Sequence, residues 1–290
     1  MLFILLALFW GGSFVFIKEV IEVVPSFSAA FYRVFFAFIF LSLIYAKKFK
    51  WPKDLKSSEL ALLIFGSLCS VGIPFSLLFW GEQYITGGMA GVLNGTVPLW
   101  TLIIGVAFFP GMVRFTKIKL LGVFVGAIGI ICIFYPKLNY SGEGHELWGL
   151  LAIIFMSGFY AIGINLNNKI IFLKDKISNE TNLILQQFFS MIYLFFVALF
   201  FDGVPTFNFF SNLSATAGIF YLSFLSTAIA FMIFMKLIKD IGPVRASSVT
   251  FFVPIVALSL DIAINHNVPM NIQLIGTVVI LVSLIFIKKD

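Results

Sequence analysis

Few side chains in this 290-residue chain have the means to do chemistry, and most of those that do are set inside long apolar runs. Arg33 lies in Ala29-Ala30-Phe31-Tyr32-Arg33-Val34-Phe35-Phe36, roughly two helical turns beyond Pro25. Its permanent charge and fork of donors suit a substrate carboxylate, a structural set of acceptors, or the polar edge of a bilayer reached by snorkelling. In the second half the comparable place is held by Gln186 and Gln187, which are polar but uncharged. Pro98 and Pro254 each remove a backbone N–H from a helix, leaving the carbonyls of Asn94 and Thr250 without donors. Such a carbonyl in hydrocarbon costs on the order of several kcal/mol, so each must face a partner helix, water or a ligand. Two of them at matching positions frame a polar cavity; satisfied by neighbouring side chains, they are only kinks. Ser13, Asn165 and Ser226 add further polar groups, and Trp10, Trp80, Trp100 and Tyr160 offer ring faces for a cation, though most of the aromatic content is packing. Glu82 and Asp261 are carboxylates near the outer ends of the third and ninth helices, candidates for a coupling role.

The same census excludes whole classes. Glu82 and Asp261 have no neighbouring acid at metal-ligand spacing, and His145 and His266 fall in loops. No paired zinc histidines, no serine or cysteine beside a base, and no glycine-rich loop ending in Lys-Ser or Lys-Thr occurs. A catalytic role, a metal, a cofactor and ATP drive therefore have no residues to carry them. Cys69 and Cys132 read as small apolar side chains.

These residues must be positioned by elements that suit lipid. The chain is 61% hydrophobic and 11% charged, against about 25% charged in a soluble domain. A water-soluble fold is excluded. The net charge of +6 sits in short clusters between apolar runs, the pattern of cytoplasmic membrane loops rather than of a nucleic-acid surface. A ruler of about 20 apolar residues predicts ten transmembrane helices near 2–22, 26–45, 60–82, 87–109, 118–136, 147–168, 181–201, 214–236, 243–264 and 271–287. The first carries no basic leader and reads as a helix, not a signal peptide. Even-numbered connections hold Lys47, Lys48, Lys50, Lys53 and Lys56, then Arg114, Lys117 and Lys119, then Lys169, Lys174 and Lys176, then Lys236, Lys239 and Arg245. Odd-numbered connections are acidic or mixed. The alternation predicts both termini in the cytoplasm of a multi-pass protein.

Gly81 to Trp100 recurs in weaker form, with Ala90, Asn94 and Pro98 answered by Ala246, Thr250 and Pro254. The chain thus divides into residues 1–136, an external linker 137–146, and 147–290. Five helices per half make the repeat inverted, the signature of a secondary transporter with its site between the halves. Gly122-x-x-x-Gly126-x-x-Gly129 predicts a close helix contact, within or between subunits.

Taken together, Ala7 to Phe14, Lys18, Arg33, the run Glu82 to Ala90 with Asn94 and Pro98, and then Gly242, Ala246, Pro254 and Gly276 resemble the EamA family of the drug/metabolite transporter superfamily over essentially the whole chain. The resemblance implies a proton-coupled or gradient-driven carrier of the bacterial inner membrane, usually exporting amino acids or other small metabolites. Similar sequences often have a glutamate shortly after the fourth and ninth helices. Here those places read Phe108-Phe109-Pro110-Gly111 and Asp261 to Asn265, leaving Asp261 as the nearest carboxylate. The expectation is an exporter in which one five-helix bundle rocks on the other around Asn94 and Thr250, as monomer or homodimer, with a small-molecule substrate, the bilayer and protons as partners. An importer of vitamins or nucleoside-like metabolites is the alternative within the class; a non-transporting subunit or a lipid-modifying enzyme lies outside it.

Overall fold

The computed structural model describes residues 2–52, 55–109, 116–138, 144–171, 177–241 and 248–288. The middle of the expected linker, and with it Arg114, Lys174, Lys176, Gly242, Arg245 and Ala246, lies outside them.

Among the described residues the regular structure is helical throughout. The helices are α1 (Leu2–Ile21), α2 (Ser26–Ile44), α3 (Ser57–Gly81), α4 (Gly87–Phe108), α5 (Lys117–Leu138), α6 (His145–Ile171) and α7 (Asn179–Phe201). Then come α8 (Leu213–Phe220, Tyr221–Ile229 and Ala230–Ile241 in succession), α9 (a turn Ser248–Phe251 leading into Val253–Asn265) and α10 (Asn271–Lys288). Eight are long and apolar enough to cross a membrane, and α9 and α10 supply two shorter apolar helices. The protein is a ten-helix membrane protein.

Several helix starts carry a side-chain cap for a free N–H. Thr86 accepts the Met89 N–H at 3.3 Å, Ser178 that of Thr181 at 3.1 Å, and Asn212 that of Ala215 at 2.9 Å. The prolines do something other than kink a continuous helix. α4 consists of Gly87–Asn94 and Val97–Phe108 with Gly95 and Thr96 as the turn between, so Pro98 is the second residue of a new segment. Proline fits there because a first-turn N–H has no intrahelical acceptor anyway. The Thr96 hydroxyl donates to the Leu93 carbonyl at 2.6 Å, and Ser157 of α6 donates to the same oxygen at 3.3 Å. Pro254 stands likewise at the second position of Val253–Asn265.

The packing shows how the halves are related. α1 packs on α8 and α9, and α6 packs on α3 and α4; α2 crosses α8 as α7 crosses α3; α2 meets α7, α4 meets α9 and α5 meets α10. Exchanging the two halves maps this set of contacts onto itself. Two separate five-helix bundles do not form, contrary to the expectation, because the first helix of each half is built into the other. Gly11 and Gly12 of α1 lie so close to Val256 and the Tyr221 hydroxyl that a side chain at either would collide. Two groups result, α1, α2, α8 and α9 facing α3, α4, α6 and α7. The pair α5 and α10 closes through Gly129 against the Gly276 backbone, so the small-residue spacing serves packing within the chain.

Candidate functional site

Arg33 is the eighth residue of α2 and is 3% exposed, so it does not snorkel. Its Nε donates to Thr227 Oγ1 at 2.8 Å and its Nη2 to Ser226 Oγ at 3.2 Å, both on α8. The guanidinium carbon lies 4.0 Å from the ring centre of Phe75 on α3, a cation–π contact across the two helix groups. Nη1 has no hydrogen-bond partner. The structural partners of Arg33 are therefore two hydroxyls and a ring rather than a carboxylate, and one donor nitrogen is left over. Tyr160 of α6, Tyr221 of α8 and Glu82 lie within electrostatic reach of the charge. Tyr160 also makes an edge contact with Phe75 at 6.4 Å.

Glu82 ends α3 and is wholly buried, and neither carboxylate oxygen has a partner. Lys18 is near, yet its ammonium donates to the backbone carbonyls of Glu82 at 2.7 Å and Ile85 at 3.4 Å. It thus holds the helix end, where a cation is favoured, and leaves the carboxylate unengaged. The charges acting on Glu82 are Lys18, Arg33 and Asp261. Asp261 differs in kind: Oδ2 accepts the Gly88 N–H at 2.9 Å, and Oδ1 accepts from the side chains of Asn265 at 3.0 Å and Asn267 at 3.1 Å. Of the two carboxylates singled out for coupling, one is fully occupied and the other is free.

The structure brings Arg33, Ser226 and Tyr160 together around Phe75, with Glu82 within electrostatic reach, and leaves other candidates apart. Ser13 donates to the Trp10 carbonyl of its own helix at 2.6 Å, and Trp10 packs on Phe231 and Phe234. Trp80, in the last turn of α3, meets Tyr84 edge-on at 5.1 Å. Asn165 ties α6 to α4 by donating to the carbonyls of Ala161 at 2.9 Å and Thr101 at 3.3 Å. Asn94 and Thr250 are half-buried at the two corresponding breaks. Trp100 Nε1 and both amide atoms of Gln187 are buried without partners.

Thr227, Phe75 and Tyr221 escaped the sequence reading. Thr227 had a signal in its adjacency to Ser226, while Phe75 is one of 38 phenylalanines and had none. Tyr221 stacks on Phe16 at 4.1 Å and donates to the Phe9 carbonyl at 3.3 Å.

A free guanidinium N–H, an unengaged carboxyl and aromatic rings are thus buried near the junction of the two helix groups. Comparison with known proteins places the chain among membrane transporters. Over 294 residues the chain is 26% identical to an uncharacterized transporter in the trpA 3' region of Buchnera aphidicola subsp. Schlechtendalia chinensis, covering 99% of this chain and 91% of that one. It is 25% identical over 288 residues to the uncharacterized inner membrane transporter YedA of Escherichia coli K12, covering 98% and 89%. A solved crystal structure shares the fold with a TM-score of 0.66 at 13% identity, over 98% of this chain and 95% of that chain. The profile of the EamA-like transporter family matches residues 1–135 and again 147–288, and the chain belongs to that family of membrane transporters.

Proposed function

We propose that the protein is a secondary active exporter of amino acids or closely related small carboxylate-bearing metabolites, exchanging them for protons by alternating access. The observation that carries this reading is the unpartnered Nη1 of Arg33, a buried permanent charge with one donor to spare at the junction of the two helix groups. A buried arginine in a membrane protein is expensive to keep, and a donor left over in it calls for an acceptor. A substrate carboxylate supplies one. Glu82 is the complementary end: with no donor bound, it takes either a proton or the ammonium of a zwitterion. Proton and substrate then compete for one carboxylate, which is the condition for exchange. Phe75 and Tyr160 face the apolar part of the solute.

The bodies that move are α1, α2, α8 and α9 against α3, α4, α6 and α7, since each group packs within itself across the sequence halves. The Glu82 end is the external one and both termini are cytoplasmic, because the lysine-rich connections lie at the other end. The outward direction follows the family resemblance, and the inner membrane location follows the E. coli relative.

The test is counterflow in proteoliposomes with labelled amino acids, their decarboxylated amines and nucleosides, with and without a pH gradient. Arg33→Gln is expected to weaken carboxylate-bearing substrates by about tenfold or more, the value of one charge-assisted hydrogen bond, and to spare the amines. Equal loss for every solute, or uptake of nucleosides alone, sinks the reading.

A further inference from the structure

Among the described residues, π-helical geometry occurs in two places, Leu68–Gly72 within α3 and Tyr221–Ile229 within α8. Segments of this kind are rare, locally unwind the α-helix and are frequent at functional sites. Their positions correspond. The 156-residue displacement that carries Pro98 to Pro254 carries Leu68–Gly72 to 224–228, inside the second segment.

The α8 segment is held by the second helix of the first half, and the α3 segment by the first two helices of the second half. On α8, Thr227 Oγ1 accepts from Arg33 Nε and donates to the Leu222 carbonyl at 2.8 Å, five residues back, while Ser226 accepts from Arg33 Nη2. On α3, Ser70 accepts from Asn167 of α6 at 2.9 Å, and Asn167 in turn accepts from Gln186 Nε2 of α7 at 2.7 Å. Ser190 of α7 donates to the Ser67 carbonyl at 3.0 Å, next to the segment. Gln186 is the eighth residue of α7 as Arg33 is of α2, and both are followed two and three positions on by Phe-Phe. One structural position has thus been filled by a charge in one half and by an amide in the other.

We propose that the two π segments are paired joints at which α3 and α8 bend during alternating access, and that Ser226 and Thr227 are positioning residues that connect Arg33 to the α8 joint. The Gln186–Asn167–Ser70 chain holds the α3 joint without charge. A carboxylate arriving at Nη1 draws the guanidinium toward itself and weakens its hold on the two hydroxyls, so substrate is sensed at α8 and not at α3. That last step rests on the function proposed above; the joints themselves do not.

Cys69 lies wholly buried inside the α3 segment and is a native reporter once Cys132 is replaced by serine. Ser223→Cys, at an equally buried position, reports on α8 in a Cys69→Ala, Cys132→Ser background. The reconstituted protein is labelled with a membrane-permeant maleimide, without substrate and then with amino acids. Thr227→Val is expected to raise labelling of the α8 reporter several-fold and leave Cys69 unchanged; Asn167→Leu and Gln186→Leu are expected to do the reverse. Thr227→Ser, which keeps the hydroxyl, restores the unmodified rate. Hydrogen exchange over 221–229 and 68–72 gives the same contrast without cysteines. Equal response of both reporters in every variant, or no response in any, overturns the joints. Substrate is expected to add labelling at α8 in the Arg33 protein and none in Thr227→Val; if it adds none anywhere while the variant contrast stands, the sensing step and the Arg33 reading of function fail and the joints survive.

Discussion

Asp261 of α9 accepts the backbone N–H of Gly88 in α4 at 2.9 Å, across the two halves of the chain. The contact has a counterpart at the same end of the bundle, where Asp202 beyond α7 accepts the N–H of Ser28 in α2 at 2.7 Å. In both, a carboxylate satisfies first-turn donors of a helix in the other half, where the helix dipole favours negative charge. The α4/α9 and α2/α7 contacts are among those that join the two helix groups, and each aspartate ties one group to the other at the Glu82 end.

Asp261→Ala and Asp202→Ala should each loosen that end, and the double variant more than either. Each leaves a buried donor unpaired at a cost of about 1–3 kcal/mol, read as a lowered thermal midpoint in detergent. Ile85→Cys, at a nearly buried position in the Glu82 turn, should label faster in all three variants. Unchanged labelling would show that the aspartates merely cap.

The α4/α9 crossing depends on Gly91 and Gly95. A side chain at Gly91 would collide with Ala257, and one at Gly95 would press on Pro254. Gly91→Ala should therefore lower transport and open the Glu82 end, and Ala257→Gly should restore both, because the pair exchanges one methyl group across the contact. Failure of the second change to rescue the first would place the effect elsewhere in α4.

Glu82→Gln should uncouple transport from the pH gradient. On the exchange proposed above, acidifying the loading side is expected to protonate Glu82, remove the partner of the substrate ammonium and raise KM. The amide cannot titrate, so KM in Glu82→Gln should be high and flat with pH while counterflow persists. A pH profile that survives the substitution would exclude Glu82 as the exchanging group.

Pro98→Ala should leave α4 broken and transport near the unmodified rate. The turn is made by Gly95 and Thr96, with the Thr96 hydroxyl on the Leu93 carbonyl, and a proline at the second helical position is tolerated there without causing the break. A straightened α4, seen as loss of transport with a raised thermal midpoint, would return the hinge to the proline.

Lys50→Cys should be modified from the cytoplasmic side of oriented vesicles and Gln83→Cys from the other. The reverse would invert the topology and, with it, the assignment of the Glu82 end.

Much of this was legible in the order of residues, because lipid imposes it. Backbone groups in hydrocarbon must bond within their own helix, so the apolar runs, checked against the alternating loop charges, marked the ten helices. Arg33 and Glu82 stood out because charge in such a run has no casual explanation. The double match of the repeat was written in Asn94, Pro98, Thr250 and Pro254. Partnership was not. Whether Arg33 reached lipid headgroups, a carboxylate or hydroxyls depended on which helix lay 194 residues away in sequence and a hydrogen bond away in space. The interleaving of the halves was equally hidden, since the small residues at Gly11, Gly12, Gly88 and Gly91 permit close approach but do not name the neighbour. The two π segments leave no trace in hydropathy, because the same apolar residues satisfy either helical geometry; the side chains docked on them, Arg33 on one and Asn167 on the other, come from the opposite half and are brought there by tertiary packing alone.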